Sequence, residues 1–124
     1  MSGDIYFGFD QSKPNEESRN DGYVNSRTFD AFGDLLDEAL AKKYPKILET
    51  IKEAEAMAIY NFCWLDAPDY NLAIHAIREY VAQLKEPTPW QEVGLWAWRE
   101  MAEPFIHKDE RYDTIFHQKE PAPS

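Results

Sequence analysis

From residue 28 onward the apolar positions of this chain recur at three- and four-residue steps, whereas alternation is confined to its first ten residues. Steps of three and four gather side chains on one helix face; alternation gathers them on one strand face. The first helix runs from Thr28 to about Lys43, with Ser26 or Thr28 as its cap. Its apolar stripe is Phe29, Phe32, Leu36, Ala39 and Leu40, with Leu35 alongside. The opposite face carries Asp30, Asp34, Asp37 and Glu38. Tyr44 stands before Pro45 and resists helical geometry, so the break falls there. Pro45 then opens a central helix through Leu65. Ile47, Ile51, Ala54, Ala58, Phe62 and Leu65 form its main stripe, and Met57, Tyr60 and Trp64 a second wedge. Two apolar sides predict a helix contacted from both.

A third helix is capped by Asp66 or Asp69 and reaches Lys85. It buries Ala73, Ile77, Tyr80, Val81 and Leu84 and turns Asn71, His75, Arg78, Glu79 and Ala82 outward. Thr88-Pro89-Trp90-Gln91 is a capping box with proline in the first turn, and starts a fourth helix that ends near Glu103. Its core face is Trp90, Val93, Ala97 and Met101, with Trp98 just outside. Residues 105–117 allow a short fifth helix. In Asp4–Asp10, Ile5, Phe7 and Phe9 lie on one side and Tyr6 and Gly8 on the other, a strand pattern without an evident mate. Residues 11–27 are polar and turn-rich, and 118–124 read as a frayed tail.

These elements predict one all-α domain over residues 1–124: four main helices in antiparallel, bundle-like packing, a short fifth helix and an extended N-terminal arm within 1–27. The alternative is an α+β fold with a small N-terminal hairpin.

Charge adds a constraint that periodicity does not. The chain has 124 residues and a formal net charge of −10, spread along its length. That excess disfavours nucleic acid, whose phosphates call for lysine and arginine, and favours a basic partner through steered encounter. No apolar run approaches the ~20 residues of a membrane span, and the acidic start lacks the form of an export signal. The single Cys63 forms no intrachain disulfide and suits a reducing cytoplasm. A soluble cytoplasmic domain is therefore expected.

Candidate chemistry is sparse. Glycine-rich phosphate loops, His-Glu-x-x-His, paired cysteines and Gly-x-Ser-x-Gly are all missing from the sequence, and no catalytic residue, metal or cofactor is assigned. Glu55 falls inside the apolar arc of the central helix, where a carboxylate would have a raised pKa unless paired. If the end segment is helical, Asp109, Asp113 and His117 share a face, a partial metal set more simply read as solvated. His75 and Glu79 stand one turn apart, an acid–base pair or an ordinary surface pair. The acidic stripe Asp30, Asp34, Asp37 and Glu38 contains no interleaved base. Trp96 lies among Glu92, Glu100 and Glu103, an aromatic anchor with a charged rim.

In size, charge and expected compartment the chain is similar to the immunity proteins that bacteria use against nuclease or other toxin domains, a likeness of general character without a shared motif. It implies a non-catalytic, antitoxin-like inhibitor that neutralises a basic protein by occlusion. Asp30, Asp34, Asp37, Glu38, Glu92, Trp96, Glu100 and Glu103 would then contact the partner. The rival expectation is a small helical enzyme or ligand-binding domain, with Glu55 in an internal pocket lined by Trp64, Tyr60 or Tyr80. A homo-oligomeric structural subunit is a third.

Overall fold

The computed structural model describes residues 2–10 and 19–118. Its architecture is α+β, which corrects the all-α expectation: helices pack on a three-stranded mixed sheet. Strand β1 (Gly3–Phe9) is central, pairing antiparallel with β2 (Arg19–Val24) and parallel with β3 (Ile59–Asn61). The α+β alternative anticipated the hairpin but not the third strand. Ile5 and Phe7 of β1 enter the core as the alternation required. A register irregularity between Tyr6 and Gly8 then turns Phe9 outward, as a bulge does when it interrupts the two-residue period. Within the polar stretch 11–27 expected to be loop, Arg19–Val24 form β2, and 11–18 lie outside the described residues.

Helix α1 (Ser26–Leu40) is capped by Asn25, whose side chain accepts from the Thr28 N–H at 2.8 Å. It buries Phe29, Phe32, Leu35, Leu36 and Leu40. Helix α2 begins at Pro45, where the sequence placed the break, but ends at Ile51. The expected 45–65 helix does not form. A 3-10 turn at Glu55–Met57 leads to Ala58 in the left-handed region (φ 59°, ψ 47°), and the chain leaves as β3. Residues 53–58 are good helix formers, yet the Ile-Tyr-Asn-Phe that follows suits a strand, and β1 has an edge to pair. The Asp4 N–H bonds the Ala58 carbonyl at 2.9 Å, and the Phe62 N–H bonds the Tyr6 carbonyl at 2.8 Å. Tyr60 thereby enters the core and stacks on Phe29, ring centroids 4.1 Å apart.

Helix α3 (Ala67–Gln83) is capped by Asp66, and α4 (Pro89–Ala97) starts with the anticipated Thr88–Gln91 capping box. The buried face of α4 is Gly94, Leu95 and Ala97 with Trp98 beyond them, not Trp90, Val93 and Met101. A π-turn at Trp98–Ala102 joins α4 to α5 (Glu103–Ile106), and the Glu103 N–H bonds back to the Trp98 carbonyl. Pro104 has no N–H to continue the regular ladder, which accounts for the shift in hydrogen bonding there.

The segment 107–118 is an irregular strap and not the expected helix, so Asp109, Asp113 and His117 do not share a face. Asp109 is buried and accepts from the Phe9 N–H at 2.8 Å and from Arg111 Nε and Nη2 at 2.9 and 2.8 Å. Arg111 Nη1 also donates to the carbonyls of Phe62 (2.9 Å) and Leu65 (2.7 Å). One ion pair thus ties the strap to β1 and to the chain leaving β3. Burial alone would raise the Asp109 pKa; the hydrogen bonds and the Arg111 charge prevail and hold it below its ordinary value. Asp113 Oδ1 accepts from the N–H groups of Ile115 and Phe116. Asn71, expected to face water, is buried: it donates to the Ala67 and Arg111 carbonyls and accepts from the Asp113 N–H, with His117 Nε2 at 2.9 Å.

Candidate partner-binding groove

The end of α3, the start of α4 and the outer side of α1 border one hollow, and α1 and α4 pack backbone against backbone beside it. A Cβ on Gly94 would lie 2.8 Å from the Ala31 carbonyl oxygen, so glycine is what lets the backbones approach. That approach sets Trp90 against α1, where its indole Nε1–H donates to Asp34 Oδ2 at 2.7 Å. One turn along α1, Glu38 Oε2 accepts from the Tyr80 hydroxyl of α3. Gln91 joins the two: its Oε1 takes the Thr88 N–H at 2.9 Å in the capping box, and its Nε2 reaches the Tyr80 oxygen at 3.4 Å. Ala31, Leu35 and Leu84 contribute apolar lining, and the hollow encloses about 160 Å³.

The electrostatics of the rim are uneven. Asp37 is paired with Lys52 at 2.7 Å. Asp34 and Glu38 are exposed and, among the described residues, pair with no lysine or arginine; their hydrogen-bond donors are the neutral indole and phenol. Neutral donors fix a carboxylate's position without cancelling its charge, so the mouth remains negative. Asp30 is exposed outside the groove.

The other expected anchor group is divided. Trp96 is 52% exposed and, with Thr28, Glu92 and Val93, borders a wide hollow of about 390 Å³. It stands six positions beyond Trp90, about 9 Å along the helix axis. Glu100 is exposed, but Glu103 turns inward. Its carboxylate takes Arg78 Nη2 at 2.8 Å, Arg78 Nε at 3.1 Å and the Trp98 indole at 3.0 Å. Burial works against the Arg78 charge, but the bonds to Glu103 and Tyr112 raise its pKa further. Arg78, expected on the polar face, is therefore a structural cation.

Glu55 sits in the 3-10 turn with its side chain about half exposed (49%), accepts from the Tyr60 hydroxyl at 3.1 Å and lies 3.7 Å from Lys52. The apolar arc that would have enclosed it does not exist. Glu79 bonds Lys43 at 2.9 Å, which lowers its pKa, with His75 Nε2 at 3.7 Å. Burial pushes the Cys63 thiol up to about 11 despite the nearby Arg111 and Arg19, which leaves it a weak nucleophile. No cluster of three or more His, Cys, Asp or Glu suited to a metal ion occurs among the described residues. In the same residues no helix is long and apolar enough to cross a membrane.

Sequence reasoning missed the groove's walls. Helical period places Trp90, Tyr80 and Leu84 in helix cores, yet Trp90 is 39% exposed and Tyr80 half-buried. The available signal was chemical: tryptophan and tyrosine carry a polar tip and settle where one end is dry and the other wet. Comparison of the chain with protein-family models, with characterised proteins and with solved structures finds no match.

Proposed function

We propose that this chain is a non-catalytic binding protein whose α1 side, with the α3–α4 groove, engages a basic protein and occludes a cationic surface on it. The observation that carries this reading is the state of Asp34 and Glu38: each carboxylate is held by a neutral aromatic donor and matched by no cation of the described chain. A preorganised, uncompensated carboxylate pair favours an incoming positive charge at little ordering cost. Trp90 and Tyr80 supply rigid contact area beside it. The surplus negative charge of the whole chain would hasten the encounter at low salt.

Co-expression with the product of a neighbouring gene, followed by co-purification at low and high salt, tests the reading. The expected result is a complex whose affinity falls with salt and falls further in Asp34→Lys and Glu38→Lys. A complex indifferent to salt and to both reversals would refute it.

A further inference from the structure

We infer that the α1–α3–α4 groove is a receptor for a single arginine side chain of the partner. This deepens the proposal above and rests on it, and three features of the groove select the occupant. The first is size. At about 160 Å³ the hollow is smaller than the ~300–1,000 Å³ typical of small-molecule pockets, so it suits one side chain and not a metabolite. The second is the make-up of its surfaces. Ala31, Leu35 and Leu84 are apolar, the Trp90 and Tyr80 rings stand beside them, and the carboxylates of Asp34 and Glu38 are at the mouth. An arginine lying along the groove can rest its aliphatic stem on the apolar lining and the rings while its charged head meets the carboxylates at the rim.

The third is the arrangement of acceptors. Asp34 uses Oδ2 for Trp90 and Glu38 uses Oε2 for Tyr80, which leaves Oδ1 and Oε1 as further acceptors on residues one helical turn apart. A guanidinium presents five donors in a planar fork and a weakly hydrated face that lies on an indole. It can bond both carboxylates while covering Trp90. The lysine ammonium is compact and strongly hydrated, so it meets one carboxylate at a time and gains less from the ring. Asp37 contributes less, because Lys52 already holds it. The pre-existing bonds of Trp90, Tyr80 and Gln91 keep the walls in place before the arginine arrives, and reduce the ordering cost of binding.

The test is a nuclear magnetic resonance titration of the intact chain with three blocked peptides of identical length bearing arginine, lysine or citrulline at the centre. The Trp90 indole N–H, assigned with Trp90→Phe, is the reporter. The arginine peptide should shift that resonance in a saturable way. Lysine should bind about tenfold more weakly, and citrulline, which keeps the shape and loses the charge, not measurably. Asp34→Asn with Glu38→Gln should abolish the arginine response, while Asp30→Asn should leave it within about twofold. Equal binding of arginine and lysine peptides would overturn the arginine assignment and leave the acidic-face reading standing. So would salt-sensitive binding of polyarginine that leaves the Trp90 signal unmoved. No binding of any of these peptides or of polyarginine at low salt would overturn both.

Discussion

The strap across β1 and the groove on α1 both use carboxylates, and they use them in opposite ways. In the strap, Asp109 is buried and surrounded by its own arginine and two backbone N–H groups, and Arg111 Nη1 donates to the carbonyls of Phe62 and Leu65. The Arg78–Glu103 pair behind Trp98 follows the same logic. In the groove, Asp34 and Glu38 are exposed and held by neutral aromatic donors. A charge matched inside the protein fixes the chain, and removing one partner strands the other. A charge held but unmatched at the surface contributes little to folding and is available to something outside.

The sharpest way to break this contrast is to unmatch the strap. Asp109→Asn leaves Arg111 buried without its counter-charge and should cost about 3–5 kcal/mol in urea or thermal unfolding; a loss under about 1 kcal/mol would mean that the pair is incidental. Acid should act in the same direction. The folded pKa of Asp109 is depressed, so its contribution is fully present above the ordinary value near 4 and drains as pH falls through the lower folded value. Urea midpoints measured from pH 6 to 3 should fall, and part of that slope should vanish in Asp109→Asn.

Glu103→Gln tests the second matched pair. It should cost about 2–3 kcal/mol and alter Trp98 fluorescence, because the amide keeps the shape but not the charge. Gly94→Ala probes what joins the two regimes. The added methyl meets the Ala31 carbonyl, so a loss of about 1–3 kcal/mol is expected together with a displaced Trp90 indole resonance. Asp34→Asn and Glu38→Gln, at the small end, should each change stability by less than about 1 kcal/mol in the same unfolding assay. If either matched the cost of Asp109→Asn, the groove would be structural and the contrast would fail.

The elements with strong local signals were legible in the sequence. Pro45 and the Thr88–Gln91 box begin their helices where the residues require it, and Asp66 caps α3. Ile5 and Phe7 point inward as their alternation demanded. The carboxylate face of α1 was readable too, since helical period alone puts Asp30, Asp34, Asp37 and Glu38 opposite Phe32 and Leu36.

What tertiary structure decided is everything that depends on a partner distant in sequence. Residues 53–58 have helical propensity, but pairing of Ile59–Asn61 with β1 outweighs the few tenths of a kcal/mol per residue by which propensities differ. Arg78, Glu103 and Asn71 look like polar-face residues until the strap and Trp98 cover them. The groove required Gly94, which lets α4 approach α1, and the registers that bring Trp90 to Asp34 and Tyr80 to Glu38. Periodicity specifies which side of a helix is dry. It carries no information about which neighbour arrives at that side, because that contact is fixed by packing across many intervening residues.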